Sequence, residues 1–358
     1  MNNQFPRYQI TPDYSISRLI KGHWQLSEGH LQQGSHDEKT LLKDMRSFVE
    51  AGITTFDMAD IYTGTEELVG RFLKENKTDF INGDLPPVQI HTKYVPDLNR
   101  LSDITIKDTE NIVDRSLQRL GVDTLDMVQF HWWNYEVPRY IEVAHHLKYL
   151  QEKGKIRHLG VTNFNTDILQ ELLDSGLNII SMQTQYSVLD RRPEKTMIDL
   201  CKKNNISLFC YGTLSGGFVN NKYLNTDQFI LETAKSKNRS LTKYSVVIED
   251  MGWESYQKIL QTLEDVSQHY GVNTGEVAVA YILSRDTVGG TIVGAYSQSH
   301  LDRLSHLKNL QLSEDDKNKI RNILLTTNTI KGDCFEAERY QQEHKNIMKF
   351  NLNDSRSS

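Results

Sequence analysis

Cysteine is scarce and shows no pairing pattern. The 358 residues hold three, Cys201, Cys210 and Cys334, with no CxxC among them. An odd count at such spacing argues against a disulfide framework and fits three ordinary thiols in a reducing cytosol. Long apolar runs are missing as well. No stretch approaches the ~20 residues of a membrane span, and Met1 to Arg7 lack the basic start and apolar run of a secretion signal. The expected location is the cytoplasm. Neither sign of charge dominates: 41 Lys and Arg stand against 47 Asp and Glu, a net −6. That balance gives no reason to expect nucleic acid or a membrane surface as partner. No HxH or HExxH pair marks a zinc site, so no metal is expected. No GxGxxG follows an early strand, so the open dinucleotide-binding sheet lacks its fingerprint.

What is present is a rhythm. Apolar residues make up 38% and charged residues 25%, the balance of a soluble globular chain. Short apolar runs alternate with longer amphipathic ones, which predicts βαβ units and a parallel sheet. Eight runs qualify as strands: Ile16 to Leu26, Thr54 to Ala59, Val88 to Tyr94, Leu125 to His131, Ile156 to Thr162, Ile179 to Tyr186, Ile206 to Tyr211 and Gly290 to Gly294. Between them helices are predicted over 37–52, 65–73, 105–120, 139–153, 166–175 and 193–204, several closed by glycine and the last opened by Pro193. Eight strands with one helix each is the count of a closed barrel.

The predicted fold class is therefore α/β, a (β/α)8 TIM barrel. The segment from Tyr8 to Ile16 reads as an N-terminal hairpin plugging the barrel bottom. Asn220 to Glu254 reads as an extended polar loop after strand 7, and helices are predicted at about 256–269 and 274–285 before strand 8. The barrel is expected over 1–325. A C-terminal extension over 326–358, polar and without period, is expected to be partly mobile.

Active sites of such barrels sit at the C-terminal ends of the strands. Strand two ends on Asp57 with Tyr62 on its loop, strand three on Lys93 and strand four on His131. Residues at matching heights on neighbouring strands converge. A Lys beside a buried Asp keeps its charge, and a nearby cation is expected to pull a phenol below its usual pKa of about 10. Such a phenol donates a proton to an alkoxide forming beside it, while His131 orients the carbonyl oxygen. Hydride then has to come from a cofactor. A buried Asp–Lys pair alone is more often structural than catalytic; Tyr62 and His131 beside it shift that balance. His91, two residues before Lys93, reads as an interior layer residue.

The chain resembles the aldo-keto reductase family from about Tyr8 to Leu325. The motifs that carry the resemblance are Gly52 to Tyr62 followed by Glu66 to Gly70, Thr92-Lys93, Asp123 to Asp126 through Phe130-His131, Gly154 to Phe164, Gln183 to Tyr186 and Tyr211 to Gly217. Each is weak alone; in this order they are specific. The resemblance implies a catalytic tetrad at Asp57, Tyr62, Lys93 and His131. It implies that Thr162, Asn163 and Gln183 hold the nicotinamide amide, that Tyr211 stacks on its ring and that Leu214 to Gly217, Gly216 included, line the pyrophosphate. Gly22 and Trp24 belong to the first loop, near cofactor and substrate, and Trp132 and Trp133 to the substrate pocket. Gly294, His300 and Arg303 fall at the adenosine end. There His300 stands where many members carry Arg or Gln, and Leu304 where many carry Asn. The family habit favours NADP, with NAD the alternative, and a small carbonyl or alcohol as substrate. A second function implied by the family is a cofactor-binding redox sensor acting through a protein partner. Oligomeric state has no signature in the sequence.

Overall fold

The computed structural model describes residues 4–27, 37–235, 237, 239–294 and 297–353. Two short strands, β1 (Arg7–Thr11) and β2 (Tyr14–Ser17), pair antiparallel as the predicted hairpin. Eight parallel strands follow: β3 (Leu19–Gly22), β4 (Thr55–Asp57), β5 (Gln89–Tyr94), β6 (Leu125–Phe130), β7 (Ile156–Thr162), β8 (Ile179–Gln185), β9 (Ser207–Tyr211) and β10 (Val288–Val293). They close in chain order, with β10 pairing both β9 and β3. The predicted run from Ile16 to Leu26 divides, its start belonging to the hairpin and its end to a 3-10 turn at Trp24–Leu26.

The helices between strands are α1 (Glu38–Glu50), α2 (Thr65–Glu75), α3 (Lys77–Asn82), α4 (Ile106–Leu120), α5 (Tyr140–Glu152), α6 (Thr166–Asp174) and α7 (Met197–Lys203). Their ends follow local chemistry. Thr105 and Asp108 cap α4 reciprocally, and Gly121 closes it with a left-handed φ of 67°. Pro193 does not open a helix over 193–204. It lies in a 3-10 turn, Arg192–Glu194, because Arg192 is drawn inward against Asp190 and the helix begins only at Met197.

The segment after β9 departs from the predicted extended loop. It carries α8 (Ile230–Lys235) and α9 (Arg239–Met251) before α10 (Trp253–Tyr270) and α11 (Thr274–Leu283). Tyr244, Val247, Ile248 and Met251 bury one face of α9 at helical spacing, a period hidden among polar neighbours. After β10 come α12 (Gln298–Leu304) and α13 (Glu314–Thr326), then α14 (Glu336–Tyr340) and α15 (Gln342–Lys345). The described part of the tail packs on the barrel, with Glu338, Arg339 and His344 buried; residues 354–358 of the predicted extension lie outside the described residues. Among the described residues no helix is long and apolar enough to cross a membrane.

Two apolar bodies result. The larger lies between the barrel and its helices. The smaller fills the barrel's lower interior with Tyr14, Ile16, Ile20, Met127, Ile180 and Phe209. Tyr14 plugs this floor: its hydroxyl lies 2.8 Å from His91 Nε2. His91 is thus an interior layer residue, stacked on Phe209 and pushed down to about 3 by burial.

Helices α2 and α4 approach so closely that a Cβ at Gly70 would collide with the Arg119 carbonyl oxygen. Alanine there gains about 1 kcal/mol of helix propensity but meets backbone that cannot yield. Overpacking of about 1–3 kcal/mol outweighs that gain, so Gly70→Ala is expected to destabilise by up to about 2 kcal/mol net. Urea denaturation measures it; an unchanged or higher midpoint contradicts the contact.

Candidate active site

The C-terminal mouth of the barrel holds one hydrogen-bonded cluster. Lys93 Nζ donates to both carboxylate oxygens of Asp57, at 2.9 and 2.8 Å, and to the Met58 carbonyl at 2.8 Å. All three ammonium protons are engaged, and the side chains are only 5% and 6% exposed. Asp57 Oδ1 also accepts from Gln129 Nε2 (3.1 Å) and Gln183 Nε2 (2.6 Å), and Gln183 donates to Gln129 Oε1 (3.0 Å). Burying two charges costs several kcal/mol per ion unless their hydrogen-bonding capacity is filled, and these amides fill it. Gly160 makes the room. A Cβ there would press on Gln129 Cγ at 3.2 Å and collide with Ser181 Oγ. Gln129 went unassigned from sequence, although its position two residues before His131 places it on the same interior side.

Tyr62 lies on the turn that returns from β4 into α2, its carbonyl accepting from Thr65 N and Oγ1. Lys93 Nζ sits 5.1 Å from the centre of its ring. The expected lowering of the phenol's pKa does not occur. Burial and the charges of Asp57 and Asp60 push it well up instead. The cation is already matched by Asp57 at contact distance, so little of its field reaches the phenol.

His131 is buried at the end of β6. Its Nδ1 lies 3.1 Å from the Thr162 carbonyl. Burial, and then the charge of Arg339, push its pKa down to about 3, so the ring is neutral. A carbonyl only accepts, so Nδ1 carries the proton and Nε2 presents a lone pair. That Nε2 is buried with no hydrogen-bond partner among the described residues. Trp133 and Phe335 pack edge-on against the ring, at 4.3 and 5.6 Å.

The remaining predicted residues lie on the other strands and on the segments that follow them. Thr162 Oγ1 is buried without a partner among the described residues. Asn163 takes a left-handed φ of 63°, and its Oδ1 accepts from Tyr211 Oη at 2.8 Å. Lys243 of α9 lies 4.9 Å from the Tyr211 ring centre. Leu214 and Gly216 form the turn after β9, and Tyr244 covers it: a Cβ at Gly216 would lie 2.8 Å from Tyr244 Cδ2. Gly22 and Gly294 bring the first loop against β10, where a Cβ would press on Ile292 and on the Gln25 side chain respectively. Trp24 is partly buried on the turn after His23. His300 Nδ1 pairs with Ser297 Oγ at 2.7 Å, Arg303 is exposed and Leu304 is buried. Trp132 is no pocket wall. Its indole is fully buried against Phe130, and its N–H reaches the Asn134 and Val137 carbonyls at 2.9 and 3.0 Å, because a buried indole needs an acceptor.

The tail contributes residues that sequence reasoning did not single out. Arg192 is sandwiched between Asp190 and Glu338, with contacts of 2.6 and 2.7 Å, all three side chains buried. This ties α14 to the loop after β8. Arg339 donates to the carbonyls of Trp132, Trp133 and Asn163. Phe350 packs on Trp133 at 5.1 Å, and Asn353 donates to Asp60 and to the Val95 carbonyl. No periodicity marks this stretch, so only the folded chain brings it to the mouth.

Comparison with known proteins agrees with the fold. The model of the Aldo/keto reductase family matches residues 18–325. An aldo-keto reductase of Bacillus subtilis, YhdN, is 27% identical over 317 residues, covering 87% of this chain and 91% of its own. An NADH-specific methylglyoxal reductase of Escherichia coli is 25% identical over 327 residues, covering 87% and 95%. A crystal structure of a thermostable aldo-keto reductase bound to the inhibitor epalrestat superposes with a TM-score of 0.67 over 89% of this chain and all of its own, at 23% identity, a likeness of fold. With the family model matched across most of its length, the chain belongs to the aldo/keto reductase family and is an NAD(P)-dependent oxidoreductase.

Proposed function

We propose that this chain reduces an aldehyde or ketone to the alcohol, with Tyr62 as the proton donor and NADPH as the favoured cofactor, the reverse oxidation using the same groups. The observation that carries the reading is the convergence at one mouth of Tyr62, the fully bonded Asp57–Lys93 pair and His131 Nε2, unpartnered among the described residues. When bound, the nicotinamide supplies the hydride. The residues present suit it. Thr162 Oγ1 is a buried hydroxyl without a partner among the described residues. Gln183 Nε2 and Asn163 Oδ1 are engaged elsewhere, which leaves Gln183 Oε1 and Asn163 Nδ2 for the amide. Tyr211 would carry the ring, Leu214 and Gly216 the pyrophosphate, and Gly22 and Gly294 would flank the cleft. His300 and Arg303 would meet a 2′-phosphate. The NADH specificity of the Escherichia coli relative argues the other way. Comparing KM for NADPH and NADH decides: a KM for NADPH at least about tenfold lower, about 1.4 kcal/mol, is expected, and an NADH preference overturns it.

The protonated phenol is the form that reduction needs. Its raised pKa keeps Tyr62 an acid at every physiological pH. The Lys93 ammonium lies over the Tyr62 ring, 5.1 Å from its centre, and meets the phenolate left after proton transfer only as a near cation, not as a bonded partner. His131 has its one proton engaged by Thr162, so its Nε2 does not polarise a carbonyl as donor. It accepts from the hydroxyl of the alcohol and so orients that group. Trp133, Phe335 and Phe350 supply an apolar wall for the substrate.

Tyr62→Phe removes only the donor. It is expected to lower kcat by about 10²–10⁴-fold while the cofactor Kd, read by fluorescence titration, changes less than about twofold; near-normal kcat refutes the role. The pH profile is a second test. His131 loses its proton near 3, and Tyr62 keeps its proton beyond the ordinary phenol range. Asp60, pushed up to about 7 by burial and Glu66, only raises the phenol further as it ionises. So kcat/KM for reduction is expected to vary by less than about threefold between about pH 5 and 9. A tenfold loss through an apparent pKa near 6.5 would contradict a neutral His131.

A further inference from the structure

We propose that Arg339, in the tail beyond the family match, is a positioning residue for this site: it staples the ends of β6 and β7 together and so holds His131 and Asn163 in place. The proposal rests on the reading of the mouth as a hydride-transfer site. Its geometry is independent of that reading. The guanidinium donates to the carbonyls of Trp132 and Trp133, the two residues after His131, and at 2.7 Å to that of Asn163, the residue after Thr162. Thr162 is in turn the acceptor for His131 Nδ1. One planar fork therefore fixes the backbone on both sides of the imidazole. Arg presents several donors in a rigid plane, a geometry that one Lys ammonium does not reproduce.

Arg339 is itself held. Its guanidinium lies 4.0 Å from the Tyr135 ring centre, and its neighbour Glu338 is locked to Arg192. Tyr135 Oη accepts from Asn165 N at 3.2 Å, which ties the same stack to the start of α6. The side chain is 7% exposed, so its charge acts where water screens it weakly. The charged groups that face His131 are Arg339 from the tail and Lys93 from β5; the Trp133 and Phe335 rings and the Thr162 carbonyl complete its surroundings. Both cations disfavour the imidazolium. Arg339 thus helps keep the ring neutral, and the Thr162 carbonyl holds its one proton on Nδ1, the state in which His131 Nε2 accepts from a hydroxyl.

Two full-length variants separate the staple from the charge. Arg339→Lys keeps the cation and loses the fork; Arg339→Gln loses both. Three readouts are taken: NAD(P)H-dependent turnover of the best wild-type carbonyl, thermal melting, and the NMR titration of the His131 ring in protein without cofactor, assigned with His131→Asn. A misplacement of about 1 Å costs on the order of 10²-fold in rate, so both variants are expected to lose at least about tenfold in kcat at temperatures where they remain folded. The His131 titration is expected to stay below about pH 5 in wild type and Arg339→Lys, and to rise in Arg339→Gln while burial still holds it below the ordinary imidazole range. Should Arg339→Gln fail to fold, Arg339→Lys decides on kcat alone. A kcat within twofold of wild type in folded variants overturns the proposal, as does a His131 titration that Gln leaves unmoved. A wild-type protein inert toward every carbonyl refutes the underlying reading instead, and the NMR titration still tests the placement of the Arg339 charge at His131.

Discussion

The Asp57–Lys93 ion pair at the centre of the barrel is the constraint around which the mouth is built. A buried pair of this kind contributes little net stability, and breaking it by removing one partner costs about 3–5 kcal/mol. Its surroundings are therefore arranged to satisfy it. Gln129 and Gln183 reach Asp57 from β6 and β8, Met58 turns its carbonyl to the ammonium, and Gly160 stays bare so that Gln129 fits. The barrel interior divides accordingly. Its floor is apolar and plugged by Tyr14, while its upper layer is polar and tied together by hydrogen bonds around Asp57. The same neutralised pair explains why the adjacent phenol keeps its proton: a cation shared with a carboxylate is a weak perturbation beside the cost of burying a phenolate.

Much of this was legible in the sequence. The eight strands, the hairpin and most helices followed from periodicity and glycine stops, because each βα unit buries one sheet face and one helix stripe. The four residues of the proposed tetrad followed from asking what ends each strand. Gln129 was within reach of the same rule. Two features were hidden for physical reasons. The apolar stripe of α9 is diluted by Lys243, Ser245, Glu249 and Asp250, so composition reads as loop while spacing reads as helix. The tail buries only a few apolar anchors, Ile330, Cys334 and Ala337 among them, and is otherwise held by charge and by backbone carbonyls, through Arg191, Arg192 and Arg339; such contacts leave little periodic trace. The phenol's pKa failed differently. Sequence places Lys93 near Tyr62 but does not say that Asp57 cancels its charge.

The tail and the insertion after β9 meet each other and bear on the same mouth. Tyr244 lies on the turn after β9 and Lys243 over Tyr211, while Phe335, Arg339 and Phe350 close on His131 and Trp133. Glu338 joins them, facing Arg192 at 2.7 Å and Lys243 at 3.8 Å. A barrel whose strand ends carry the chemistry is in this way given walls by segments that the barrel repeat does not contain, and fold alone does not set what those walls accept.

The central claim is that hydride passes to a carbonyl carbon at this mouth. Incubating the full chain with NAD(P)H deuterated at the transferring position and a panel of aldehydes and ketones, then analysing the alcohols by mass spectrometry, tests it directly. One deuterium per molecule at the carbinol carbon is the result the account predicts. Cofactor that binds yet transfers no deuterium to any carbonyl would contradict it and favour a redox sensor acting through a partner protein.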